Sequence, residues 1–326
     1  MKDRIYIDGA LPQWKGNLHL HTTRSDGRAS PREAIAYYRD AGYHFIMVSD
    51  HELYWDQPMA EAGDMLLLAG SEVSLAPHGR GLHSIGDQRH KSLHLLLVYD
   101  ERLRSVQPPP WGHGQAIPRQ ADTGISAWNQ LIARHKSQGH FVFLCHPRWS
   151  RLLPEDLLAL EGCQALEIWN HGCQASESVA ESGYEWDYCL SRGKRVLAIA
   201  TDDVHDYADQ ARQGRGGFTM VSAPEGDGPS LMDALDSGRY YASSGPLIQD
   251  LRVRDGRLVM RFSPAQEVRL VAAHGYAPTH YPPPGQASFT SLDWPLDPGL
   301  LYVRAEVIGP TGRKAWSQPI FLDDLA

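Results

Sequence analysis

What most constrains this chain is a repeated pairing of a short apolar run with a histidine, aspartate or glutamate at or just past its end. Seven runs of core-strand length lie at Asn17–His21, Phe45–Ser49, Leu66–Glu72, His94–Tyr99, Phe141–Cys145, Ala165–Trp169 and Val196–Thr201. Helix-type segments separate several of them. Ser30-Pro31-Arg32-Glu33 supplies an N-cap, a proline at the first helical position and a capping-box glutamate, and Gly42 stands where that helix should stop. Ile125–Ser137, closed by Gly139, and Glu177–Ser191, closed by Gly193, are two further helix candidates. Strands alternating with helices predict an α/β fold in which parallel strands are joined by helical crossovers, a barrel-like domain over residues 1–246. Two interruptions rich in Gly, Pro and His, Ala76–Lys91 and Gln107–Thr123, are long for a compact domain, a length typical of functional or mobile loops.

The texture changes after Gly245-Pro246. Leu251–Arg254 and Leu258–Phe262 flank an Asp255-Gly256 turn, Val268–Ala273 follows, and Leu301–Val307 and Ala315–Phe321 flank Gly309–Gly312. Leu301, Val303, Ala305 and Val307 alternate with Tyr302, Arg304 and Glu306, which predicts a half-buried strand with the second set outward. Residues 247–326 are therefore expected to form a small antiparallel β-sandwich. The sequence leaves open whether it covers an end of the barrel, pairs with a second copy as a homo-oligomer, or lends an edge to a pocket. Trp294 and Trp316 suit any of these, or simply its core.

Charge narrows the partners. With 31 basic and 39 acidic side chains the formal net charge is −8, which argues against a nucleic-acid polymer bound by phosphate neutralisation and leaves a small phosphorylated compound open. No apolar run approaches the length of a membrane span, and Met1–Gly16 lacks a signal-type stretch, so a cytoplasmic location is expected. Cys145, Cys163, Cys173 and Cys189 form no CxxC pair and read as reduced thiols.

Histidine is the unusual count, at 16. A lone histidine is more often a surface or core side chain than a ligand, and His44, His78, His83, His90, His113, His135, His140, His274 and His280 have no placement that says otherwise. His19-Leu20-His21, Asp50-His51, Glu72, His146 and Asp203-Val204-His205 do, because they fall at strand ends, and in a parallel β/α barrel those ends share one rim. His19 and His21, two apart on a strand, send both imidazoles to one side, and Asp26 follows on the next loop. Neutral imidazoles with carboxylates and no cysteine ligand suit zinc, manganese or iron. Cys145, inside an apolar strand, reads as buried rather than as a nucleophile.

These residues resemble, in order and spacing, the polymerase and histidinol phosphatase (PHP) superfamily. The resemblance rests on His19-x-His21, Ser25-Asp26-Gly27, Ser49-Asp50-His51, Glu72, His94, His146-Pro147 and Asp203-x-His205, and covers roughly residues 14–246. The run from Asn17 to Gly27, followed by Ala41-Gly42-Tyr43, is most similar to its carbaryl-hydrolase-like branch. The resemblance implies a distorted seven-stranded β/α barrel holding two or three divalent metals. It puts one on His19, His21, Glu72 and Asp203, a second on Glu72, His94 and His146, and a third on Asp26, His51 and His205. His94 opens its strand instead of ending it, so His83 and His90 compete for its role; His94 is preferred because the family has its histidine directly before an apolar strand. The Asp-x-His frame selects Asp203 over Asp202.

Arg148, Asp202 and His171 are the candidate catalytic residues. Arg148, like Arg24, is placed to clamp phosphate oxygens, Asp202 stands behind the ligands, and His171 follows Trp169-Asn170 at a strand end. The chemistry expected is hydrolysis of a phosphate ester by hydroxide generated from metal-bridging water. Two rivals share the site: hydrolysis of a carboxyl or carbamate ester, and a non-catalytic metal-binding or interaction module.

Overall fold

Strand direction decides which residues meet, and one strand runs against expectation. In the computed structural model, which describes residues 1–75, 93–273 and 277–326, one sheet has the order Gly70–Ser74, His94–Tyr99, His140–Leu144, Ala165–Asn170, Leu197–Thr201. His94–Tyr99 is antiparallel to both of its neighbours. Its first residue therefore lies at the end where the neighbouring strands finish, opposite Ser74 and accepting a hydrogen bond on its carbonyl from the Cys145 N–H at 3.0 Å. A histidine that opens this strand reaches the same rim as those that close the others. His83 and His90, like His78 and His274, lie outside the described residues.

Gln13–Asn17, Phe45–Met47 and Leu66–Leu68 pair in parallel within a second, ten-stranded sheet, which continues through Phe218–Ser222 and Tyr240–Ser243 into the C-terminal strands. The expected distorted seven-stranded β/α barrel does not appear as one closed sheet; its strands are divided between two. The run Leu66–Glu72 breaks at Ala69, and both backbone groups of Gly70 bond Trp55, at 2.8 and 3.0 Å, so the ladder does not carry across. Among the described residues, isolated parallel bridges, Leu20 with Val204 and His51 with Glu72, join the two sheets, and each falls beside candidate ligands.

The local signals for helices act as their chemistry predicts. Ser30 Oγ accepts from the Glu33 N–H and Glu33 accepts from the Ser30 N–H, a closed capping box on helix Pro31–Asp40, which buries Ala34, Ile35 and Tyr38. Gly42, at φ 72°, lets the chain turn away as only glycine does freely. Helix Ile125–Ser137 also forms. The helix expected at Glu177–Ser191 is instead two, His171–Glu177 and Gly183–Ser191, separated at Ser178 in the left-handed region. Asn170 starts the first by accepting from the Cys173 N–H.

At the C-terminal end, Arg4–Ile7, Ile248–Arg254, Arg257–Ala265 and Phe289–Pro295 form a four-stranded sheet. It packs its apolar face (Ile7, Leu251, Met260, Phe262) against Val268, Leu270 and Val303 of the larger sheet. Asp255 and Gly256 make the expected two-residue hairpin, both at positive φ. Lys314–Trp316 pairs onto Tyr240–Ser243, and Tyr302–Ile308 and then Glu267–Ala272 continue the larger sheet from it.

That continuity corrects the reading of Tyr302, Arg304 and Glu306 as outward. All three are buried, because the far face of their strand packs on helix Gly183–Ser191. Arg304, 1% exposed, makes two bonds to Asp187 at 2.6 and 2.7 Å and one to Glu306 at 2.8 Å. Removing one partner of such a group strands the others, so Arg304→Ala is expected to lower unfolding stability by about 3 kcal/mol in a urea titration; a loss under about 1 kcal/mol would show that the pairs contribute little.

A second buried polar cluster makes stability depend on acid. His135 and His140, 1% and 3% exposed, pack against Trp111. Burial holds their pKa values down, to about 3 and about 4. The unfolded chain binds these protons near pH 6.5 and the folded one does not, so stability is full above that pH and falls as pH drops towards 4. Between pH 6.5 and 5 each histidine should cost about 1.5 kcal/mol. Urea midpoints are expected to fall over this range in the wild type and to fall less in His135→Phe; equal slopes would remove His135 from the effect.

Candidate metal centre

The loop after Gln13–Asn17 carries His19 and His21, both fully buried. They lie beyond the strand and not on it, yet the expected convergence holds: both Nε2 atoms face Glu72 Oε2, at 3.1 and 3.0 Å, and Asp203 Oδ1, at 3.1 Å each. His51 Nδ1 is 3.3 Å from the same Glu72 oxygen. His94 Nδ1 and His146 Nε2 approach the other oxygen, at 2.7 and 3.6 Å. Farther out, Asp26 lies 3.5 Å from both His51 Nε2 and His205 Nε2.

Ligand atoms within 4.8 Å of one another define four overlapping groups: His19, His21, Glu72 and Asp203; His51, Glu72 and His94; His21, Asp26, His51 and His205; and His19, Glu72, Cys145 and His146. All nine expected ligands are here. The first group is the set implied for one metal, and the set Asp26, His51 and His205 gathers with His21 added; the expected Glu72, His94 and His146 are divided between two groups, His94 with His51 and His146 with His19 and Cys145. The centre borders a cavity of about 370 Å³, with Trp149, Ser176, Glu177 and Gln213 on its walls.

Local backbone makes the convergence possible. Asp203 and His146 sit at positive φ, 51° and 27°, which side chains other than glycine rarely adopt. The Asp203 N–H bonds the His19 carbonyl at 2.8 Å, so one ligand's backbone fixes another's. Asp50 is a clamp: its carboxylate accepts from the Thr22 N–H, Thr22 Oγ1 and Ser25 Oγ, at 2.7, 2.7 and 2.8 Å, and so shapes the loop between His21 and Asp26. Gly172 is needed for close approach, since a Cβ there would lie 2.6 Å from the Asp203 carbonyl.

Charge and unfilled bonds test whether cations fit. Burial alone would raise Glu72 and Asp203, but the surrounding imidazoles, His51 and His19 on Glu72 and His19 and His21 on Asp203, hold both well below the usual carboxylate range. Burial opposes charging His21, yet the Asp203 and Glu72 carboxylates, 3.1 and 3.0 Å from its Nε2, push it up to about 10. His21 Nε2, His51 Nδ1 and Asp203 Oδ1 are buried with no hydrogen-bond partner. Inward-facing lone pairs on nitrogen and oxygen fit divalent cations of the zinc, manganese or iron type.

Sequence reasoning missed Glu167, which organises the centre. Fully buried, it accepts four hydrogen bonds: on Oε1 from His19 Nδ1 and Thr201 Oγ1, both at 2.6 Å, and on Oε2 from the His146 N–H at 2.7 Å and Asn170 Nδ2 at 2.9 Å. A carboxylate only accepts here, so His19 carries its proton on Nδ1 and presents Nε2 to the centre. Asn170, also missed, bonds Asp203 Oδ2 at 3.1 Å. The available signal was one charge inside the apolar strand Ala165–Asn170.

The three candidate catalytic residues do not meet the ligands. Arg148 is half exposed, lies 3.6 Å from Glu185, and lines a different cavity with Trp169 and Tyr184. Arg24 bonds His113 at 3.0 Å. Asp202 is buried on the far side of its strand end, accepting from Tyr38 Oη and the N–H groups of Arg215, Gly216 and Gly217 at 2.7 to 2.9 Å. His171 packs on Gly216, where a Cβ would fall 2.0 Å from its ring. Among the described residues no arginine or lysine lines the centre's cavity. Cys145 is buried and its thiol is pushed well up by burial, which fits its reading as no free nucleophile. No helix of the described residues is long and apolar enough to cross a membrane.

Comparison with known proteins adds the following. No family model matches the sequence. The 5'-3' exoribonuclease of Haemophilus influenzae is 32% identical over 97 residues, 28% of this chain and 35% of that protein, so the match spans about a third of its curated relative. A two-domain protein of Bacteroides vulgatus, described as containing a predicted PHP-like metal-dependent phosphoesterase, has 17% identity and a TM-score of 0.49, covering 98% of this chain and 99% of that one. An amidohydrolase of Chromobacterium violaceum, solved with sulfate and no metal, has 15% identity and a TM-score of 0.38 over 69% of this chain and 96% of that one.

Proposed function

We propose that this protein is a metal-dependent phosphoesterase of the PHP type, acting on a small phosphorylated compound with two or three divalent ions. The observation that carries it is one carboxylate, Glu72, within 3.6 Å of five imidazoles at the border of a cavity. The ions would be held by His19, His21, Glu72 and Asp203, by Glu72, His94 and His146, and by Asp26, His51 and His205. Divalent ions supply Lewis acidity towards a phosphoryl oxygen and lower the pKa of water.

The chain's own groups do the rest. Glu167 and Asn170 keep His19 and Asp203 aimed, and Asp50 keeps Asp26 in reach. Trp149, whose ring lies 4.8 Å from that of His146, walls the cavity against water and offers an apolar face to a substrate. With no arginine or lysine among the described cavity residues, the positive charge a substrate's anion would meet there is that of the metal ions, beside the neutral hydrogen-bonding groups of Ser176 and Gln213. That suits a single phosphate group. The named activity of the Haemophilus protein, cleavage of RNA, is hydrolysis at phosphorus and supports the phosphoester reading over a carboxyl or carbamate ester; the net charge of −8 supports a small substrate over a polymer. Placement in the carbaryl-hydrolase-like branch belongs to the proposal and rests on the run Asn17–Gly27.

The test compares manganese-loaded protein on p-nitrophenyl phosphate, a cyclic phosphodiester and p-nitrophenyl acetate. Turnover of a phosphoester is expected to exceed that of the acetate. Acetate turnover with no phosphoester cleaved would overturn the phosphoesterase reading, and inertness towards all three with metal bound would favour the non-catalytic module.

A further inference from the structure

Cys145 directly precedes His146 and follows the strand His140–Leu144. Strand periodicity turns its side chain to the same side as Phe141 and Phe143, and all three belong to one buried cluster. A small apolar residue would pack there equally well. What sets this position apart is that the cluster ends against the metal centre. The Cys145 sulfur, ring nitrogens of His19 and His146, and a Glu72 oxygen all lie within 4.8 Å of one another, close enough for one cation to draw them together.

The neighbours leave that corner open to an ion. Glu167 occupies His19 Nδ1, and Ser150 Oγ lies 2.9 Å from His146 Nδ1, so both rings offer Nε2. His21 Nε2, fully buried and without a hydrogen-bond partner, faces the same carboxylate. His19 belongs to two overlapping groups and one ion alone can claim it. Glu72, with two oxygens, still reaches this corner together with His146 and Cys145, a set of three protein ligands in which the sulfur takes the place given above to His94, which groups with His51 and Glu72.

We propose that Cys145 is a thiolate ligand of this centre, giving the ion held with Glu72 and His146 a preference for thiophilic zinc over manganese. The proposal rests on the reading of the pocket as a metal centre and adds a ligand to it. On binding, the S–H bond breaks, its proton passes to solvent, and a sulfur lone pair forms the bond to the cation. A soft sulfur donor raises affinity for zinc and does little for manganese, which prefers oxygen.

The experiment loads the full chain with cobalt(II), a spectroscopic substitute for zinc. Wild-type protein is expected to show a near-ultraviolet sulfur-to-cobalt charge-transfer band. Cys145→Ser should abolish it, and Cys173→Ser, changing the cysteine that lines the cavity, should keep it. Cys145→Ser is also expected to lose about tenfold or more in zinc affinity while manganese affinity changes less than about threefold. The band is read on unmutated protein, so the result does not depend on a variant folding. Cobalt bound without the band, or a band that survives in Cys145→Ser, overturns the proposal and leaves the metal centre standing. No cobalt bound, by elemental analysis, overturns both.

Discussion

Glu72→Gln is expected to leave the purified protein with less than one equivalent of metal and to cut hydrolysis by about a thousandfold, the rate equivalent of about 4 kcal/mol. Glu72 belongs to three of the four ligand groups, and both of its oxygens are approached by imidazoles. Glutamine keeps the volume and loses the charge. It also replaces an acceptor oxygen by an N–H₂ that a cation repels and that points at ring nitrogens already facing inward. Plasma emission spectrometry on dialysed protein reads the metal, and steady-state kinetics on the best ester substrate reads the rate. Circular dichroism separates loss of ions from loss of fold. Full metal content and wild-type turnover in this variant would remove Glu72 from the centre, and the proposed function with it.

The second large effect is expected at Glu167, which touches no ion site directly. Its two oxygens accept from four donors, so every lone pair facing a neighbour is used. Glu167→Gln would point an N–H₂ at two of those donors. The amide has no orientation that satisfies all four: turned one way it opposes His19 and Thr201, turned the other it opposes the His146 N–H and Asn170. The first frees His19 to carry its proton on Nε2, where a ligand must be bare. Metal affinity is expected to fall about 10- to 100-fold, and unfolding stability by about 2 kcal/mol for the unpaired buried donors. Isothermal titration with manganese or zinc and a urea titration read the two. A variant that loses stability but binds metal as the wild type does would make Glu167 a packing residue only.

How much of this was legible beforehand differs from residue to residue. His19, His21, Glu72, His146 and Asp203 could be singled out because a polar group at the end of an apolar run is a local signal, written within a few consecutive positions. His94 was legible as a residue and not as a geometry: only the antiparallel direction of its strand explains why the first residue of that strand reaches the rim. Asp202 and Asp203 are chemically identical and adjacent. One faces Tyr38 and three backbone amides, the other faces two histidines, because successive side chains leave the chain on opposite sides and Asp203 adopts a left-handed φ. Arg148 stands two residues from a ligand yet opens onto another cavity, near Glu185 on a helix that its sequence neighbourhood does not contain.

The sequence by itself determined the chemical inventory, helices such as Pro31–Asp40 and Ile125–Ser137, and turns such as Asp255-Gly256. These depend on side-chain type, on the period of apolar residues and on caps and glycines, all short-range properties. Tertiary structure alone decided that the expected barrel is two sheets joined by isolated bridges, that Arg304 and Glu306 are buried, and that Glu167 fixes the proton on His19. Each of these outcomes depends on which distant segment lies opposite, since a buried charge or a ring nitrogen takes its state from partners brought near by folding, and those partners can lie anywhere along the chain.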